Sequence, residues 1–177
     1  MAGFLVLTAV GEDRPGLVSR LTGWIADRGC NVEDSRMSVL GTEFAFMLLL
    51  SGEEAAVAAI ASEAAALGEE LGLTVVARPS GPPAARAGDD RIPYTVRAVC
   101  LDHPGVVHEI SHFLARHGIN IGDLATRTHQ APITGAPLFS MELTVEVPAS
   151  LRLPALRREL EALGERLGVD VEIHPVG

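Results

Sequence analysis

The chain has 177 residues, 47% of them hydrophobic and 21% charged, with a formal net charge of −9. That size allows one large domain or two small ones, with apolar material for a core that needs no disulfide or metal staple. Fourteen basic residues against 23 acidic ones weigh against unassisted nucleic-acid binding and against docking on anionic membranes, since both need a basic surface. Cys30 and Cys100 are too few for a disulfide framework and fit a reducing compartment. No apolar run approaches a membrane span and the N-terminus has no basic n-region, so the expected location is cytoplasmic.

Residues 3–10 alternate as a strand. Asp13-Arg14-Pro15-Gly16 follows, with Asp13 placed near an N-cap and Pro15 in a first helical turn. Leu17, Leu21, Trp24, Ile25 and Arg28 then keep a helical period, with Trp24 read as core, and Gly29 suits the position past the helix end. A strand over about 31–40 meets another over about 43–51 through a tight Gly41-Thr42 turn. Val57, Ile60, Ala64, Leu67 and Leu71 form the stripe of a second helix, and a short strand closes the half. Ser80 to Arg91 is rich in Pro, Gly and Ala with no apolar period, which reads as a linker.

Beyond the linker the same order recurs. Thr8–Gly16 aligns with Arg97–Gly105 at an offset of 89, which also carries Gly29-Cys30-Asn31-Val32 onto Gly118-Ile119-Asn120-Ile121. Ten of the 27 positions from 8 to 34 are identical to their counterparts. Leu153, Leu156, Leu160, Leu163 and Leu167 repeat the second stripe at an offset of 96. The sequence thus predicts two domains, residues 1–79 and 93–177, joined by a linker over 80–92. Each reads β-α-β-β-α-β, an α+β, ferredoxin-like arrangement with two helices on one face of a four-stranded antiparallel sheet.

The repeat allows the two sheet faces to be compared. Phe139, Met141, Leu143 and Val145 share one face of the second copy, with Ser140, Glu142, Thr144 and Glu146 on the other. Phe46, Leu48 and Leu50 are matched to the polar set, Val6 and Thr8 to Thr95 and Arg97, and Val76 to Glu172. The first open face, built on Val6, Phe46, Leu48, Leu50 and Val76, is then apolar where the second is polar. Such a face marks an interaction surface toward another chain or the second repeat, unless a loop or the linker covers it.

The strand-to-helix corner is the strongest candidate for chemistry, and it occurs twice. Glycine lets the backbone approach a ligand, and free amides at a helix N-terminus favour a carboxylate. Asn31 and Asn120 each start a strand and offer both a donor and an acceptor. Together these suit a free amino acid, although Asp-x-Pro-Gly is also a good turn and Gly-x-Asn a good helix stop.

Asp13-Arg14-Pro15-Gly16-Leu17-Val18 with Gly29-Cys30-Asn31-Val32, and Asp102-His103-Pro104-Gly105-Val106-Val107 with Gly118-Ile119-Asn120-Ile121, resemble the ACT domain, a small amino-acid-binding regulatory module. The second half adds a five-residue hairpin expansion within Ala131–Met141, which resembles proteins of the glycine cleavage system transcriptional repressor type. The resemblance implies the βαββαβ fold and no catalytic domain. It also implies an effector such as glycine or serine and action through a partner transcription factor in a homodimer. The effector would sit at an interface between ACT units. The matching positions are Asp13, Arg14, Gly16, Leu17, Asn31 and Val32, and Asp102, His103, Gly105, Val106, Asn120 and Ile121. Arg14 and His103 differ, so the two sites need not be equivalent.

His108-Glu109-Ile110-Ser111-His112 spells H-E-x-x-H, a zinc-hydrolase pattern. Ile110 aligns with Leu21 and points inward, which turns both histidines toward solvent, and His117 is too near to serve as a third ligand. Solvated histidines are the favoured reading, with adventitious metal binding in nickel chromatography. Cys100 reads as a small core residue and Cys30 as partly exposed, neither beside a strongly basic group. No phosphate loop or dinucleotide fingerprint appears, so no cofactor is expected.

Overall fold

Strand β1 (Ala2–Glu12) buries Leu5, Leu7 and Ala9 and leaves the residues between them less covered, as a strand with one face on a core must. The structure is a computed structural model that describes residues 2–82, 90–131 and 135–176. The chain divides into two units, residues 1–85 and 86–177. In the first, β1 leads to α1 (Leu17–Asp27), the hairpin β2 (Asn31–Leu40) and β3 (Glu43–Glu53), α2 (Glu54–Leu71) and β4 (Thr74–Ser80). The strands pair antiparallel in the order β2-β3-β1-β4. The second unit repeats this with β5 (Arg91–Leu101), α3 (Val106–Arg116), β6 (Asn120–Gln130), β7 (Pro137–Pro148), α4 (Leu153–Leu167) and β8 (Asp170–Pro175), ordered β6-β7-β5-β8. Each is a ferredoxin-like α+β unit. β4 and β5 each run slightly into the expected linker, of which residues 83–89 lie outside those described. Residues 132–134 of the expanded hairpin also lie outside them. No described helix is long and apolar enough to cross a membrane.

Leu17, Leu21 and Ile25 of α1 and Val57, Ile60, Ala64, Leu67 and Leu71 of α2 meet the inner faces of β1 and β3 in one core. Full burial of each such leucine or isoleucine stabilises by about 1.5–3 kcal/mol. Trp24 is only partly buried against this core, and the Arg28 guanidinium lies 4.0 Å from its ring centre while also pairing with Glu63 of α2. α2 approaches β4 closely because Gly68 has no side chain: a Cβ there would lie 2.6 Å from the Leu73 carbonyl oxygen. Gly164 holds the same place in α4, with the Val169 carbonyl oxygen at 2.5 Å from a built Cβ.

Several expectations are corrected. Phe46, Leu48 and Leu50 are not on the open face: with Phe44 they point into the core, Leu48 and Leu50 fully buried. Thr8 pairs with Met47 and its counterpart Arg97 pairs with Glu142, so the true offset across the hairpin is 95. The expansion is therefore six residues, and a one-residue slip exchanges the two faces of a strand. The residues that match Ser140, Glu142 and Thr144 are Ala45, Met47 and Leu49. With Val6, Val10 and Val76 they form an open face that is still apolar; Met47 is 51% exposed and Val76 50%. The second unit carries Arg97 and Glu142 there, paired at 2.8 Å.

Asp13 does not cap α1. The N-cap is Gly16, at φ 93, and Gly105 repeats it at φ 99. That left-handed backbone favours glycine and moves Asp13 and Pro15 into the preceding turn. Cys30 is buried rather than partly exposed, packed where a Cβ on Gly52 would meet its Sγ.

Candidate functional site

Gly16 turns the chain from β1 into α1 and opens the helix N-terminus. Neither α1 nor α3 has a side-chain hydrogen bond at its N-cap, so the first-turn amides are available to an anion. The Asp13 amide donates to the Thr42 carbonyl at 2.9 Å, and the Asp102 amide to the Pro137 carbonyl at 2.9 Å. Each corner is thereby fixed to its hairpin. Asp13 and Asp102 are exposed. In the first unit a shallow groove runs from Asp13 and Gly16 along α1 to Met37 of β2 and Phe44 of β3. It offers amides and a carboxylate at one end and apolar walls beyond.

Arg14 and His103 are committed within their own units. The Arg14 guanidinium donates to the carbonyl of Leu71 at the end of α2. His103 reaches the equivalent carbonyl of Leu167, at the end of α4, through Nε2 at 3.1 Å. Two different side chains thus satisfy the same orphan carbonyl, where a helix C-terminus favours a donor or a cation. Leu17 and Val106 are core residues, and Val32 and Ile121 pack against the cores, so these four present only backbone to a ligand.

Asn31 and Asn120 do not meet the corners of their own units. Asn31 pairs with Ser51, whereas Asp13 adjoins Thr42. At about 3.4 Å per residue the two lie about 30 Å apart. Asn120 opposite Glu146 repeats this arrangement. Asn31 Nδ2 donates to Glu33 Oε1 at 3.2 Å, and Ser51 Oγ donates to the same carboxylate. These two donors, Ser51 first, hold the Glu33 carboxyl below its usual range. Gly122 replaces Glu33 in the second unit, and among the described residues Asn120 has no side-chain partner. Met37, Phe44, Glu33 and Ser51 escaped the sequence reading because only the strand register brings them to these places.

His108 and His112 lie exposed on α3, and among the described residues no group of three or more His, Cys, Asp or Glu could hold a metal ion. Among the described residues the three protein ligands of a zinc hydrolase are not assembled there. Burial raises the Cys30 and Cys100 thiols above their ordinary range, and the Asp102 carboxylate adds to this at Cys100. Neither is set up as a nucleophile.

Comparison with known proteins agrees with this architecture. ACT-domain family models match residues 3–78 and 94–165. The glycine cleavage system transcriptional repressor of Escherichia coli is 34% identical over 178 residues, covering 98% of this chain and 90% of that protein. A UPF0237 protein of Methanopyrus kandleri, 37% identical over 73 residues, covers 40% of this chain and 81% of its own length. Among solved structures, an unknown protein from Galdieria sulphuraria superposes over 100% of both chains with a TM-score of 0.81 at 28% identity. Two ACT units in one chain, aligned nearly end to end with the Escherichia coli protein, place this chain in the family of tandem ACT-domain proteins that includes the glycine cleavage system transcriptional repressor.

Proposed function

We propose that the chain is a non-catalytic amino-acid sensor that modulates a partner transcription factor, in control of glycine cleavage. The single observation that carries this reading is the pair of uncapped helix N-termini behind Gly16 and Gly105. Their amides favour a carboxylate, and the exposed Asp13 and Asp102 beside them suit an ammonium group. The extended similarity to the Escherichia coli repressor supports a regulatory role. Since corner and asparagine stand far apart in each unit, this reading needs the asparagine-bearing strand of a neighbouring ACT unit beside a corner. Asn120, with its amide unengaged, serves that reading better than Asn31. A glycine- or serine-type effector then shifts the population toward one arrangement, by no more than its differential affinity for it. The acidic chain acts through a protein rather than on DNA itself.

The test is thermal unfolding of tag-free protein with each free amino acid, chelator present. A ligand at 100 times its Kd stabilises by about 2.7 kcal/mol, a rise of about 4–8 °C for a unit of this size. A rise confined to glycine, serine or a close relative, and lost in Asn120→Ala, is the expected result. No rise with any amino acid refutes the sensor. It would favour a ligand-free protein–protein adaptor, the second reading, which the apolar open face around Met47 and Val76 supports.

A further inference from the structure

We propose that His108 and His112 form a bidentate binding site for divalent transition ions on the outer face of α3, with His108 in the first turn of that helix. Residues four apart on a helix sit about 40° from one another, on one face. Here the two rings stand nearly parallel, their centres 5.8 Å apart and their planes at 19°. Both side chains are exposed, and among the described residues neither ring nitrogen of either takes a hydrogen bond. This sets them apart from three of the other four histidines of the chain. His103 is held by Pro104 and Leu167, His117 by Phe113 and Glu159, and His174 by Glu172.

Metal–nitrogen bonds of about 2.0–2.1 Å need the two donor atoms within about 4 Å of each other. Reaching that separation takes side-chain rotation, which no hydrogen bond of either ring opposes among the described residues. The helix supplies rigidity: Ile110 and Leu114 anchor its inner face in the core. Neutral imidazole suits copper, nickel and zinc ions rather than magnesium or calcium. With two protein ligands the remaining coordination positions belong to water, so the site binds a metal without the closed geometry of a structural zinc site. Glu109 lies beside the pair and Arg116 one turn beyond His112, which sets acidic and basic charge on either side of it. The first unit provides a built-in comparison: Ser19 and Gly23 occupy the same helix positions, and a Cβ on Gly23 would meet nothing within 4 Å.

The experiment is calorimetric titration of Ni2+ and Cu2+ into tag-free, chelator-treated full-length protein, with circular dichroism to verify the fold of each variant. One ion per chain is expected. His112→Ala should weaken binding by more than about tenfold, equivalent to 1.4 kcal/mol, whereas His174→Ala should leave it unchanged. The Ser19→His, Gly23→His double variant should add a second equivalent. Absence of binding to the unaltered chain, or equal affinity in His112→Ala, overturns the proposal.

Discussion

Glu33 shows how far a single exposed carboxylate can be organised by its neighbours. Ser51 and Asn31 both donate to it, and both bonds favour the ionised form, so its carboxyl titrates below the ordinary glutamate range. A lowered folded-state pKa contributes stability above the unfolded value and loses it as pH falls through the folded one. NMR titration should therefore place the Glu33 midpoint below that of ordinary glutamates, and Ser51→Ala should move it upward. An unchanged midpoint in that variant would remove Ser51 as the cause. At the same scale, the Asp-x-Pro-Gly residues were legible from sequence because they recur. The destinations of Arg14 and His103 were not, since the carbonyls of Leu71 and Leu167 reach them only through tertiary packing.

The helices and strands were legible from their periodicity. Both stripes of each unit face the core, and the turns fall at Gly29, Gly41 and Gly118. The open face of β3 was not legible, because the length of the β6–β7 hairpin sets the offset and no periodicity measures a loop. The close approach of α2 to β4 rests on Gly68 and yields a prediction for that element. Gly68→Ala gains about 1 kcal/mol of helix propensity. Against this, the added methyl meets the Leu73 carbonyl, a rigid backbone atom, and such overpacking costs about 1–3 kcal/mol. A net fall in melting temperature is expected by calorimetry, and Gly164→Ala should do the same to the second unit. A rise in both would show that the helix can retreat from the strand.

For the whole molecule, the contrast between the two open sheet faces matters most. Val6, Val10, Ala45, Met47, Leu49 and Val76 make one apolar, while Arg97 and Glu142 stand paired on the other. An apolar face of this kind lowers its free energy by covering itself, and self-association is the simplest cover. Met47→Asp places a charge on that face without touching the core, since Met47 is half exposed. Sedimentation should then report a smaller particle than the unaltered chain forms at equal concentration. An identical mass in both would remove this face from self-association.

The edge strands β2 and β6 each carry one residue more than their ladder uses: pairing jumps from Val32 to Asp34 and from Ile121 to Asp123. The surplus residue is Glu33 in one unit and Gly122 in the other. A bulge bends its strand and interrupts the ladder at a single point, so each asparagine-bearing strand start is attached through a joint. In the first unit the joint is clamped by Glu33 gripping Asn31 and Ser51, and in the second it turns on a glycine. One chain therefore holds two versions of the same bulge, one braced by a carboxylate and one built on a glycine.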